Sequence, residues 1–101
     1  MFYSKTIIKS ENSAHYLKSL CRHFARKVPA TWDDHQGEVN FAMGNCNFTL
    51  IDTSDELELV CSAEAIEPLA TVKKILEQHI LMLSRRETIA LIWSHDKSTL
   101  E

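Results

Sequence analysis

Apolar residues at Ala14, Leu17, Leu20, Cys21, Phe24 and Val28 recur every three or four positions, which predicts a helix with one buried stripe. Ahead of it, Phe2–Lys9 (FYSKTIIK) is short and holds Thr6, Ile7 and Ile8, so it reads as a strand. Ser10-Glu11-Asn12-Ser13 lies between the two and supplies a turn and residues that cap a helix N-terminus. Pro29 should end the helix, because the residue before a proline avoids the α region.

Beyond Pro29 the apolar period shortens to two. Val39, Phe41 and Met43 alternate with polar or small residues, then Cys46, Phe48 and Leu50, then Leu57, Leu59 and Cys61. Asp34–Gly37 (DHQG) and Asp52–Asp55 (DTSD) read as turns, and Gly44-Asn45 as a two-residue hairpin turn. Glu56 and Glu58 fall on the outward side of their strand, so the pattern is an antiparallel meander with one wet face. Ser62 then reads as an N-cap. Glu64 and Glu67 follow where a helix start favours negative charge, and Pro68 sits in the first turn. Leu69, Val72, Leu76, His79, Ile80 and Leu83 form the stripe of this second helix, which should end near Ser84–Glu87. Ile89, Leu91 and Trp93 predict a last short strand, and the chain from Ser94 is polar.

The order β-α-β-β-β-β-α-β predicts an α+β domain, with two helices packed on one face of a mostly antiparallel sheet. Residues 1–94 form the single domain expected of a 101-residue chain, and 95–101 a polar tail. The net charge is −3, so a strongly basic nucleic-acid binder is not expected. No apolar run approaches the ~20 residues of a membrane span. Met1–Ile8 is too short for a signal peptide and is interrupted by Lys5. Three cysteines without a CxxC pair fit a reduced, cytoplasmic protein.

Candidate chemistry concentrates in Leu17–Pro29 (LKSLCRHFARKVP). Cys21 and His23 are two residues apart, which on a helix aims them about 160° apart. They cannot share a metal or form a thiolate–imidazole pair. Cys21 lies in the apolar stripe and reads as a small buried hydrophobe. His23 lies on a flank with Tyr16 and Lys27, where it is either a hydrogen-bonded structural histidine or part of a ligand site. Lys18, Arg22 and Arg26 form the outer face, a solvated stripe or a docking patch for an acidic partner. His79 reads as a helix-packing residue, and Cys46 and Cys61 as core. The five histidines show no HxH, HxxxH or finger spacing, so no metal is expected. GxGxxG, P-loop and GxSxG motifs are missing too, and neither a cofactor nor a catalytic residue is assigned.

The run YLKSLCRHFARKVP, the following tryptophan-and-aspartate turn, Gly37, a strand ending in Phe41, and Gly44 together resemble a family of small bacterial domains, domain of unknown function 2218. The resemblance runs from about Ser10 to Trp93. Leu20-Cys21-Arg22-His23-Phe24 with Lys27 is its most specific part, and His79, Arg86-Glu87 and Trp93 look like its C-terminal signature. It implies no particular activity. It does imply a setting, since related domains can be joined to flavin-dependent siderophore-interacting proteins, which suggests an accessory part in iron acquisition. Members often carry a second histidine where this chain has Arg26, a departure that weighs against a metal site on this helix. Three readings follow: a non-catalytic binding or accessory domain, a small enzyme or metal-binding protein using His23 with the sheet or His79, and an interaction module docking through Lys18, Arg22 and Arg26. If Tyr16, His23, Lys27, Arg86, Glu87 and Trp93 converge, they form a ligand site for a small molecule or protein.

Overall fold

In a computed structural model of the chain, which describes residues 2–51, 55–84, 89 and 91–96, the elements follow the expected order. They are β1 (Phe2–Lys9), α1 (Ser13–Phe24), β2 (Ala30–Trp32), β3 (Gln36–Phe41), β4 (Gly44–Ile51), β5 (Glu56–Ala63), α2 (Ile66–Leu83) and β6 (Ser94–Asp96). The six strands form one sheet in the order β2-β3-β4-β5-β1-β6, and every pairing is antiparallel. Both helices cover the same face. α1 lies over β2, β3 and β4, while α2 lies over β4, β5 and β1.

Alternation along the strands decides which face is dry. Ile8, Val39, Cys46, Phe48, Leu57, Leu59, Cys61 and Ala63 point under the helices and meet Leu17, Leu20, Cys21 and Phe24 of α1 and Leu69, Val72, Leu76 and Ile80 of α2. The opposite face is wet, with Lys5 near Glu58 at 3.5 Å and Lys9 near Glu56 at 3.9 Å. Such exposed pairs add little stability. Burial of the core side chains, each about 1.5–3 kcal/mol, holds the fold.

Several local expectations shift. The β3–β4 turn is Ala42-Met43, and Gly44 is already the first residue of β4, opposite Phe41. No glycine has a positive φ. Gly44 is needed for space instead: a Cβ there would collide with the backbone oxygen of Ser62 on β5. Gly37 also lies in a strand. The turn before it is closed by Asp33, whose carboxylate accepts from the backbone N–H groups of His35 (2.8 Å) and Gln36 (2.9 Å). These two bonds hold the Asp33 carboxyl below its ordinary pKa.

Ser62 is not a cap. It belongs to β5, where its hydroxyl donates to Asn45 Oδ1 across the strand pair, and α2 starts after Ala65. Pro68 is the third helical residue, so its missing N–H is one the helix would not have used. α1 ends at Phe24 rather than at Pro29, and the N–H groups of Lys27 and Val28 both return to the Phe24 carbonyl. Ala14 is exposed, and Ser13 and Tyr16 join the buried stripe in its place. The last strand is Ser94–Asp96, paired with Tyr3–Lys5, rather than Ile89–Trp93. It therefore runs two residues into the segment read as tail.

Candidate functional site

Helix periodicity buries Leu20, Cys21 and Phe24 and leaves His23 at the edge of the stripe, half-buried and facing α2. On α2 the same rule puts His79 at the edge of its own stripe. The two imidazoles meet with ring centroids 4.8 Å apart. Phe24 packs on His79 at 4.7 Å and edge-on to Phe41 of β3 at 5.2 Å, so four rings close the junction of the two helices and the sheet. His79 Nδ1 lies 2.7 Å from the Ile75 carbonyl. That bond makes Nδ1 the donor and leaves Nε2 as the open nitrogen.

The His23 pKa is lowered below 6.5, first by loss of solvent and then by positive charge from His79, Arg26 and Lys27. Among the described residues, no carboxylate contacts either imidazole, and none forms an ion pair with Arg22, Arg26 or Lys27. Lys18 lies 3.2 Å from the exposed Asp34. From Asn12 to Trp32 the sequence holds Lys18, Arg22, Arg26 and Lys27 and no acid, in a chain whose net charge is −3. The helix layer at α1 is thus a cationic surface on an acidic protein.

The expected site residues do not all converge. His23 and Lys27 lie at the junction, as does His79, which the sequence offered both as a packing residue and, in the metal-binding or enzyme reading, as a partner of His23. Tyr16 is 2% exposed within the core, two turns or about 10 Å along α1 from His23. Trp93 donates from Nε1 to Glu77 at 2.8 Å, and Lys73 sits 5.7 Å above its ring. Lys73 and Glu77 lie on a different side of α2 from His79, so Trp93 packs away from the contact of His23 with His79. Arg86 and Glu87 lie outside the described residues. The sequence offered the pairing of His23 with His79 only as one alternative beside the sheet, because it depends on how the helices settle on the sheet.

All three cysteines lie in the core. Cys21 is fully buried, and burial pushes its thiol up to about 11. Cys46 and Cys61 are directly opposed on β4 and β5 and are also buried and unpaired as disulfides. Burial, then Cys61, then Cys21, push the Cys46 thiol well above its ordinary value. Among the described residues no group of three or more His, Cys, Asp or Glu is placed to hold a metal, and no helix is long and apolar enough to cross a membrane. An open depression of about 440 Å³ lies away from His23, between Lys5–Lys9 of β1 and Ile89, Ile92 and Ser94. Thr6 Oγ1 is buried at its edge with no hydrogen-bond partner among the described residues.

This arrangement of elements recurs in the NMR structure of PA4090 from Pseudomonas aeruginosa, with a TM-score of 0.76 over 93% of this chain and 96% of that one. The two share 21% identity, so the similarity is one of fold. Comparison with curated proteins gave no match. A profile of uncharacterised proteins conserved in bacteria, DUF2218, matches residues 5–94. With both helices and all but the ends of the sheet inside that match, the chain belongs to the DUF2218 family.

Proposed function

We propose that the protein is a non-catalytic binding domain that docks an acidic partner protein on the outer face of α1. One observation carries this reading: Arg22, Arg26 and Lys27 are exposed with no ion pair among the described residues, while the rest of the chain is acidic. A surface of this kind steers and orients an anionic partner. The buried, unpaired thiols support a reducing, cytoplasmic setting. The resemblance to domains that can be joined to siderophore-interacting flavoproteins supports an accessory role in iron handling as its context. Binding of polyglutamate, measured by fluorescence anisotropy over a salt series, tests the docking face. Lys18→Glu with Arg22→Glu should abolish binding with the fold intact by circular dichroism. Equal binding by the variant and the parent would refute the proposal.

The contact between His23 and His79 favours one other reading, a metal-binding or catalytic protein built on His23. One zinc or iron per chain after purification, lost in His23→Ala, would select that reading.

A further inference from the structure

We infer that the junction of α1 and α2 is an oxyanion subsite, in which His23 with Lys27 and Arg26 receives a carboxylate or phosphate group and takes up a proton as it binds. The inference rests on the docking reading and assigns its anchoring point. The ring geometry supplies the first support. His23 and His79 face each other at 4.8 Å at a half-buried edge, and the Ile75 carbonyl occupies only one nitrogen of His79. Imidazole nitrogens that are partly out of water and close to another imidazole are poorly solvated, and a bound acceptor replaces that solvent.

The charged groups around His23 supply the second support. From the turn after α1 come Arg26 and Lys27, from α2 comes His79, and from α1 itself comes the ring of Phe24, which is backed by Phe41 of β3. These groups are cationic, cation-forming or apolar, so positive charge gathers there without an internal counter-charge among the described residues. Such a cluster is repelled within itself when empty and is relieved when an anion enters. A metal cation would meet the same repulsion from Arg26 and Lys27, so an anion is the favoured occupant.

Proton uptake follows from the same arrangement. With no anion present His23 is neutral near pH 7, because its surroundings lower its proton affinity. A bound oxyanion reverses the sign of the local field and favours the imidazolium, which then donates to it. Binding and protonation are thus linked. Above the His23 pKa in the anion-bound state, affinity should fall up to about tenfold for each unit of rising pH.

The probe is sulfate, which does not titrate in this range, with inorganic phosphate and citrate as parallel arms that separate tetrahedral from carboxylate preference. Imidazole NMR signals are followed from about pH 5 to pH 8 at ionic strength held constant with sodium chloride. The expected result is a His23 pKa below the ordinary value in chloride that rises on addition of one of the three anions. Lys27→Gln should weaken that anion about threefold or more and reduce the rise. If none of the three anions moves His23, or if Lys27→Gln responds like the parent, the subsite does not exist. Loss of polyglutamate docking with the sulfate response retained would remove the docking reading and leave the subsite standing.

Discussion

A methyl group added at Gly37 should push α1 away from the sheet, and removing one atom from α1 should undo the effect. A Cβ at this position would lie 2.7 Å from Cys21 Sγ, and 3.2 Å from both Leu17 Cδ1 and Trp32 Cβ. Leu17 can give at its flexible end, whereas the buried Cys21 sulfur is held in the core. Overpacking of this kind costs about 1–3 kcal/mol. About 0.4–1 kcal/mol is returned because alanine restricts the unfolded chain. Gly37→Ala should therefore lose about 1–2 kcal/mol. Cys21→Ala removes one small buried group and leaves a small void, a loss of about 1 kcal/mol. The two losses should not add. In the double variant the new methyl occupies part of the space that the sulfur left, so its stability should exceed the additive value by about 1 kcal/mol. Urea unfolding of the parent, both single variants and the double variant, followed by far-UV circular dichroism, gives the four free energies. Additivity within about 0.5 kcal/mol would show that α1 does not rest on Gly37, and the placement of His23 would fall with it.

Three further outcomes are expected. Acidification should weaken the fold: with the folded-state pKa of His23 below 6.5, the unfolded chain binds the extra proton first. Stability is full above that value and is lost as pH falls towards the folded-state pKa. His23→Gln should flatten this part of the profile in thermal melts across the same range, and an unchanged slope would exclude His23 as its source. Thr6→Val should leave the melting temperature level or raise it, because the hydroxyl it removes is buried without a partner among the described residues. A loss of about 1 kcal/mol or more would reveal a hydrogen bond at that oxygen. Native-state labelling with a thiol reagent should leave Cys21, Cys46 and Cys61 unmodified until denaturant is added, and rapid labelling of any one would contradict its burial.

Periodicity made the architecture readable because burial acts on every turn and every second strand residue alike. Leu17, Leu20, Cys21 and Phe24 could face only the core, and the strand alternation of Cys46, Phe48, Leu57 and Leu59 left one side of the sheet for the helices. Glycine misled where its conformational freedom was assumed to be its purpose. Gly37 and Gly44 stand in strands because α1 and the Ser62 carbonyl come too close for a side chain, a long-range fact that local composition does not contain. Ser62 carries the residue type of a cap but spends its hydroxyl on Asn45 across the sheet.

The candidate site was legible by half. The direction of His23 and the basic face of α1 follow from helix geometry alone. Its partner does not: His79 reaches His23 only because both helices share one sheet face with their histidine flanks together. Trp93, grouped with His23 by sequence resemblance, is drawn instead to Glu77 and Lys73 on a different side of α2.

The proposed binding surface is the helix layer and not the wet face of the sheet. Backbone amide NMR of the protein titrated with polyglutamate at low salt tests it residue by residue. Shifts are expected at Lys18, Arg22, His23, Arg26 and Lys27 that disappear as salt is raised, with Lys5, Lys9 and the outward residues of β4 and β5 unmoved. Shifts confined to the wet face, or a spectrum that polyglutamate leaves unchanged, would contradict it.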